Sequence, residues 1–339
     1  RARCQARCCA ATAGGSQMPS NPERFSVSSL RPKLMFEAAS ELVGRADFPY
    51  RNARVTLRDQ GGEHGGVYTL MGTQSPDFIA DVVRGDVHVA MLNPSVMLTL
   101  AVRGTGPFTE PQPLAAIAVI PSDDQFAFAV TEACGVTSLD QIREERRPLR
   151  VSIRGTHDPS TALLGNAMLK AYGFSLDDIV AWGGHVSYDQ ALPGHSTRLG
   201  RVEAGELDAI FDEAVSSWAN RAAGMGMSFL PVDGEPLRQL VTQGFRASAI
   251  SAAQHPNLPA DVPTVDFSGW PIYTHAEAPD TFIEAFCASL EARKDRIPWE
   301  RGGSPLPLAR MVKDAPDAPL EVPFHPAAER VWQELGYLT

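Results

Sequence analysis

From Phe25 onward the apolar positions recur with two periods, and the switches between them mark out elements. Residues 25–29 (FSVSS) alternate and predict a short strand. Residues 31–44 (RPKLMFEAASELVG) repeat at helical spacing: Pro32 suits a first turn, Leu34, Met35, Ala38, Ala39 and Leu42 share a face, and Gly44 ends the run. Ala53–Leu57 alternates as a strand and enters a loop, Asp59–Gly66, with four glycines. The next helix is predicted over 75–84, with Ser75 as N-cap, Pro76 at the first helical position, and Phe78, Ile79, Val82 and Val83 on one face. Gly85-Asp86 turns the chain into a strand, Val87–Leu92.

A second set begins at Leu114, where two apolar strand-like runs over 114–130 are broken by Pro121–Asp124. LRVSI (149–153) predicts a strand, 154–161 a loop, and 160–172 a helix with Leu163, Leu164, Ala167, Met168 and Ala171 at helical spacing. Trp182–Tyr188 reads as a loop with two glycines, 196–205 as a helix and Glu206–Phe211 as a short strand. PTVDF (263–267) and helices at 279–294 and 326–336 complete the chain. Strands alternating with helices at this spacing predict βαβ units and an α/β fold.

Length and composition narrow the picture. The 339 residues suggest two domains, and 44% apolar with 21% charged residues excludes wholesale disorder. A net charge of −10 disfavours a general nucleic-acid binder. No run of about 18 apolar residues spans a bilayer. Cys4, Cys8 and Cys9 lack a downstream Cys/His pair, and Cys134 and Cys287 lie far apart, so the spacing builds no zinc site. Residues 1–20 are basic, then Ala/Gly/Ser-rich, and are expected to form a disordered tail without the apolar segment of a secretory signal. The missing signal segment is what is expected either of a mature or truncated chain or of a cytoplasmic one.

Three segments in order carry a resemblance: TQSPDFIADVVRGDVHVAMLNPS (73–95); LRVSIRGTHDPSTALLGNAMLKAYGFSLDDI (149–179) followed by RVEAGELDAIFDEA (201–214); and VPFHPAAERVWQELGY (322–337). Together they resemble the TAXI-family solute receptors of tripartite (TRAP) transporters, an NMT1-like group of type 2 periplasmic binding proteins, over residues 25–339. The resemblance implies a two-lobed α/β fold with two crossover hinge strands, near 124–132 and 230–250. One lobe would be 21–126 plus 246–339 and the other 127–245. It also implies a non-enzymatic, periplasmic receptor, free of cofactor and metal, that captures a small organic anion (a carboxylate or amino-acid-like molecule) for membrane transporter subunits. The chain departs from the family where a glycine-rich loop usually stands, which here is Ser28-Ser29-Leu30-Arg31-Pro32, and at Gly155-Thr156-His157-Asp158.

Candidate residues follow from position. Ligands of open α/β sheets lie beyond the strands' carboxyl ends, where helix N-termini favour anions. Three loops fit: Ser28, Ser29 and Arg31; Thr73, Gln74 and Ser75; and Gly155, Thr156, His157, Ser160 and Thr161. Plain capping by Asp158 is the alternative for the third. Arg31 could clamp a carboxylate or be solvated. Asn93 and Ser95 follow a buried-looking strand, and Gln125 lies at the first crossover. Asp212 and Glu213 follow the strand ELDAIF and could do acid–base work, bind an amine or cap a helix. With His157 they support the alternative function, a lyase or dehydratase on the same fold. The sequence contains no G-x-S-x-G elbow or phosphate loop, and His64, His88, His157, His185 and His195 show no metal-ligand spacing.

Overall fold

A computed structural model of the chain describes residues 27–45, 52–58, 66–72, 75–155, 159–297 and 305–339. The chain divides into two compact units, Arg1–Arg51 and Asn52–Thr339. In the first, helix α1 spans Val27–Gly44. The strand expected over 25–29 is therefore absent from Val27 on, because a five-residue alternation is too short to separate a strand from a helix. Ser28, Ser29 and Arg31 lie in the first turns of α1, so the strand-to-helix loop expected at them is not there. Pro32 falls inside the helix and, lacking an N–H, removes one backbone hydrogen bond.

The second unit opens with β1 (Arg54–Arg58), β2 (Val67–Met71), α2 (Phe78–Arg84), β3 (Val89–Met91), α3 (Ser95–Arg103) and β4 (Leu114–Ile120). There follow β5 (Gln125–Thr131), α4 (Leu139–Glu144), β6 (Arg150–Arg154), α5 (Pro159–Ala171), α6 (Leu176–Ala181), β7 (His185–Asp189), α7 (Ser196–Glu203) and β8 (Ala209–Asp212). Next come α8 (Ala219–Gly224), β9 (Met227–Leu230), α9 (Gly234–Gln243), β10 (Ala247–Ile250) and β11 (Val262–Asp266). The chain ends with β12 (Trp270–His275), α10 (Asp280–Arg293), α11 (Leu308–Met311) and α12 (Pro326–Glu334).

Two sheets result. The first runs β1-β2-β3-β12-β4; the second runs β10-β11-β5-β8-β6-β7, with β9 also on β5. The βαβ units expected from the alternation pair β2 with β3, β6 with β7 and β6 with β8 in parallel, while the antiparallel pairs make both sheets mixed. This is a two-lobed α/β fold with two crossovers. α2 starts later than expected because Asp77 is the N-cap, its N–H bonded to the Ser75 hydroxyl at 3.3 Å. β7 forms where a loop was expected; it is a half-exposed edge strand and so lacks a continuous apolar face.

The first crossover is Pro121–Asp124, between β4 and β5. The return is 267–269, later than the 230–250 expected, because β9 and β11 both pair with β5 and β10 with β11 before the chain leaves the second sheet. The crossovers are bonded to each other: Phe267 N–H donates to the Asp124 carbonyl at 2.9 Å and Gly269 N–H to the Ser122 carbonyl at 2.9 Å. The Ser268 hydroxyl accepts from Asp124 N–H at 3.0 Å. Phe126 stacks on Phe267 with centroids 5.2 Å apart and meets Phe211 at 4.6 Å. Gly269 has φ +79°, and a Cβ there would strike Ser95 Oγ and approach Val119 and Pro319 to 2.9 Å, so only glycine fits.

The core follows the strand period. Phe126, Phe128 and Val130 of β5 enter one apolar cluster, and Ala127 and Ala129 enter the cluster on the other face. On the first sheet, Ile117 and Ile272 pack against Ile283, Cys287, Ala327 and Trp332 of α10 and α12. The Trp332 indole also donates to the Ile117 carbonyl at 2.8 Å.

Beside the return crossover, the buried Asp266 carboxylate accepts from the Ser268 hydroxyl at 2.6 Å and the Ser268 N–H at 3.2 Å. Burial nevertheless pushes its pKa up to about 6. An acid whose pKa is raised by folding holds its proton more tightly when folded. It therefore stabilises the protein below its ordinary value near 4, and that contribution is lost as pH rises through 6. Urea unfolding of the native chain and of Asp266→Asn across pH 4–7 is expected to show the native chain losing up to about 3 kcal/mol relative to the variant. Parallel stability curves would contradict this.

Candidate functional site

A cavity of about 270 Å³ opens where the two sheets meet at the crossovers. From the first sheet come Asn93, beyond β3, and Trp270, at the start of β12; the first crossover adds Ser122, Asp123 and Asp124. From the second sheet come Arg154 at the end of β6, Leu192 beyond β7, and Glu213, Ala214 and Ser216 beyond β8. β3, β6 and β8 thus present their carboxyl ends to it, the position at which open α/β sheets bind ligands.

The polar frame is built from the strand ends. Asp124 Oδ1 accepts the N–H of Gln125 at 2.8 Å and of Val215 at 3.0 Å, and Oδ2 accepts the N–H of Ala214 at 2.8 Å. Burial raises its pKa to about 6, against the pull of those N–H donors and of Arg154. Arg154 is ion-paired with Glu213 and stands 3.6 Å from Asp212. Asp212 is fully buried. Its Oδ2 meets Arg198 Nη1 at 2.5 Å and the Arg154 N–H at 2.9 Å, while Oδ1 accepts the Glu213 N–H at 2.9 Å. Burial pushes the Asp212 carboxyl upward, and the Arg198 and Arg154 guanidiniums oppose that rise.

Arg198, 1% exposed, ties the floor together. Its Nε donates to Ser152 Oγ at 2.8 Å, Nη2 to the Ser152 carbonyl at 3.0 Å and Nη1 to the Ala191 carbonyl at 3.1 Å. One guanidinium therefore fixes β6, the end of β8 and the loop carrying Leu192 in a single arrangement.

The residues anticipated from sequence fall into groups. Asn93 lines the cavity; Gln125 does not, but its amide donates to the lining Asp123 at 3.0 Å. Ser95, the first residue of α3, is buried with its hydroxyl unpartnered. Ser160 and Thr161, in the first turn of α5, are fully buried, and their hydroxyls have no hydrogen-bond partner among the described residues. Gly155 allows close packing, since a Cβ there would meet Tyr188 at 2.5 Å. Asp212 supports the site from below rather than lining the cavity. Ser75 bonds Asp77 at the start of α2. Arg31 is exposed on α1 in the other unit. Thr73, Gln74, Thr156 and His157 lie outside the described residues.

Sequence reasoning passed over Arg154, Arg198 and Trp270, and it read Asp123 and Asp124 only as a break between strands. One signal was available: Arg198 lies four residues before Val202, on the buried stripe of α7, where a solvated arginine does not belong.

Removing Arg198 leaves the Asp212 charge buried with weaker compensation. Arg198→Met is expected to cost about 3–5 kcal/mol, and adding Asp212→Asn to recover part of that loss, measured by denaturant unfolding of both variants. Stabilities within 1 kcal/mol of the native chain for both would refute the pair's structural role.

Among solved structures, the chain is similar to a TctC solute-binding protein from Polaromonas (14% identity, 63% of this chain and 67% of that one, TM-score 0.33). It is also similar to PhnD1 of Prochlorococcus marinus in complex with methylphosphonate (12% identity, 77% and 83%, TM-score 0.35). A third similar structure is ArtJ, the arginine-, lysine-, histidine-binding protein of Geobacillus stearothermophilus (8% identity, 70% and 80%, TM-score 0.31). The family model described as NMT1-like matches residues 69–336, which run from β2 to the end of α12 and include every residue lining the cavity. By that match the chain belongs to the NMT1-like family.

Proposed function

We propose that this chain is a solute-binding receptor that encloses one small molecule between its two sheets and delivers it to a membrane transporter. The observation that carries this reading is the cavity at the crossovers, lined from both sheets and by the first connection between them. Only the two crossovers need change dihedral angles for the sheets to close on a solute, and contacts to both sides then favour the closed form. Among the described residues, Glu213 at the cavity wall is held by Arg154, and Asp212 behind it is held by Arg198.

The three segments singled out in the sequence support placing the chain with the TAXI receptors, with a TRAP-type transporter as partner and a site of action outside the cytoplasm. Among the described residues no helix is long and apolar enough to cross a membrane, so this reading leaves the membrane step to the partner. The expectation of an acidic group on the solute draws support from α5, where the unpartnered Ser160 and Thr161 hydroxyls lie at the positive end of a thirteen-residue helix.

A library of small metabolites screened by thermal shift is expected to yield a solute that raises the melting temperature. At a hundredfold excess over Kd the stabilisation should be about 2.7 kcal/mol. The same solute should shrink the radius of gyration in solution scattering and be recovered unaltered. Conversion of the solute at catalytic protein concentration would instead establish an enzyme.

A further inference from the structure

This inference rests on the receptor reading and concerns which solute the cavity admits. Among the described residues, three carboxylates line the cavity, Asp123, Asp124 and Glu213, against one guanidinium, Arg154. The charge of Arg154 is already answered by Glu213 and, at 3.6 Å, by Asp212. Arg198 serves Asp212 from below and does not reach the cavity. The excess negative charge therefore rests on Asp123 and Asp124. Asp124 spends its oxygens on three backbone N–H donors, which solvate the charge without cancelling it. Asp123 is exposed to the cavity and accepts one hydrogen bond, from the Gln125 amide.

Two further observations point to a ligand independently of the charge count. Asn93 lines the same cavity at 7% exposure, and its side-chain amide makes no hydrogen bond among the described residues. An amide so placed is open to a hydrogen bond from a molecule in the cavity. Trp270 also lines the cavity, and an indole is the aromatic group that attracts a cation most strongly.

We infer that the solute carries an organic cation, an ammonium or guanidinium group seated among Asp123, Asp124 and Glu213 against Trp270, with the Asn93 amide bonding a neighbouring polar atom. An anion in the same place would meet uncompensated like charge in a partly desolvated pocket. The requirement for a cation is independent of whether an acidic group also reaches α5.

The test is the thermal-shift library sorted by charge, followed by calorimetric titration of the whole chain. Putrescine, agmatine and choline are the cationic probes; succinate, glutarate and 2-oxoglutarate are the anionic ones. Cationic compounds are expected to bind at least tenfold more tightly than any compound lacking a cationic nitrogen, and to weaken as salt is raised. Asp123→Asn, a change at an exposed residue, should weaken the best binder tenfold or more while leaving the circular dichroism spectrum unchanged. Anions that bind as tightly as cations, or an Asp123→Asn variant with native affinity, would overturn the cation assignment and leave the receptor reading standing. A library without any stabilising compound would overturn the receptor reading itself.

Discussion

The cavity depends on the carboxylate of Asp124 more than on any other single group. It sits on the first crossover and holds the N–H groups of Ala214 and Val215 from the far sheet. Ala214 adopts φ +56°, a left-handed conformation that costs a non-glycine residue about 1–2 kcal/mol. Two charge-assisted hydrogen bonds to the segment are of the size needed to offset that cost. The turn they stabilise brings Glu213 to the cavity wall and ends β8 beside Arg154. The same residue's backbone is clamped to Phe267 and Ser268 of the return crossover, so one residue sets the relation between both crossovers and the end of β8.

Beneath that frame lies a layer of paired charge. Arg198, Asp212, Ser152 and Asp189 form one chain of contacts, with Ser152 Oγ donating to Asp189 at 2.5 Å and Arg201 reaching Asp189 at 3.2 Å. Buried ion pairs add little net stability, because desolvation offsets their attraction, but they impose geometry, since a misplaced partner leaves a charge exposed to low dielectric. Here the geometry imposed is the direction of the β6 and β8 ends.

The fold was largely legible because its strands and helices differ in apolar period. The stretch 114–130 announced both β4 and β5, and its break at Pro121–Asp124 is the first crossover. The return crossover was misplaced because β9, β10 and β11 are four- and five-residue strands that owe their place to pairing on the second sheet rather than to a strong pattern of their own. At the site, Asn93, Gln125 and Glu213 could be found as polar residues at strand ends. Arg154 and Asp124 could not, because a charged side chain reads as solvated until tertiary structure supplies its partner; Arg198 left only the signal of its place on the apolar stripe of α7. The loops at Ser28–Arg31 illustrate the converse, a position inferred from resemblance that the backbone resolves as helix.

The central claim is that a cavity with excess negative charge receives one small cationic solute and returns it unchanged. Native mass spectrometry of the chain purified without denaturation, followed by release and identification of whatever is bound, tests this most directly. The account predicts one molecule per chain, small enough for a cavity of about 270 Å³ and bearing a protonated nitrogen. A bound molecule without any cationic group, or one that the protein converts on incubation, would contradict it.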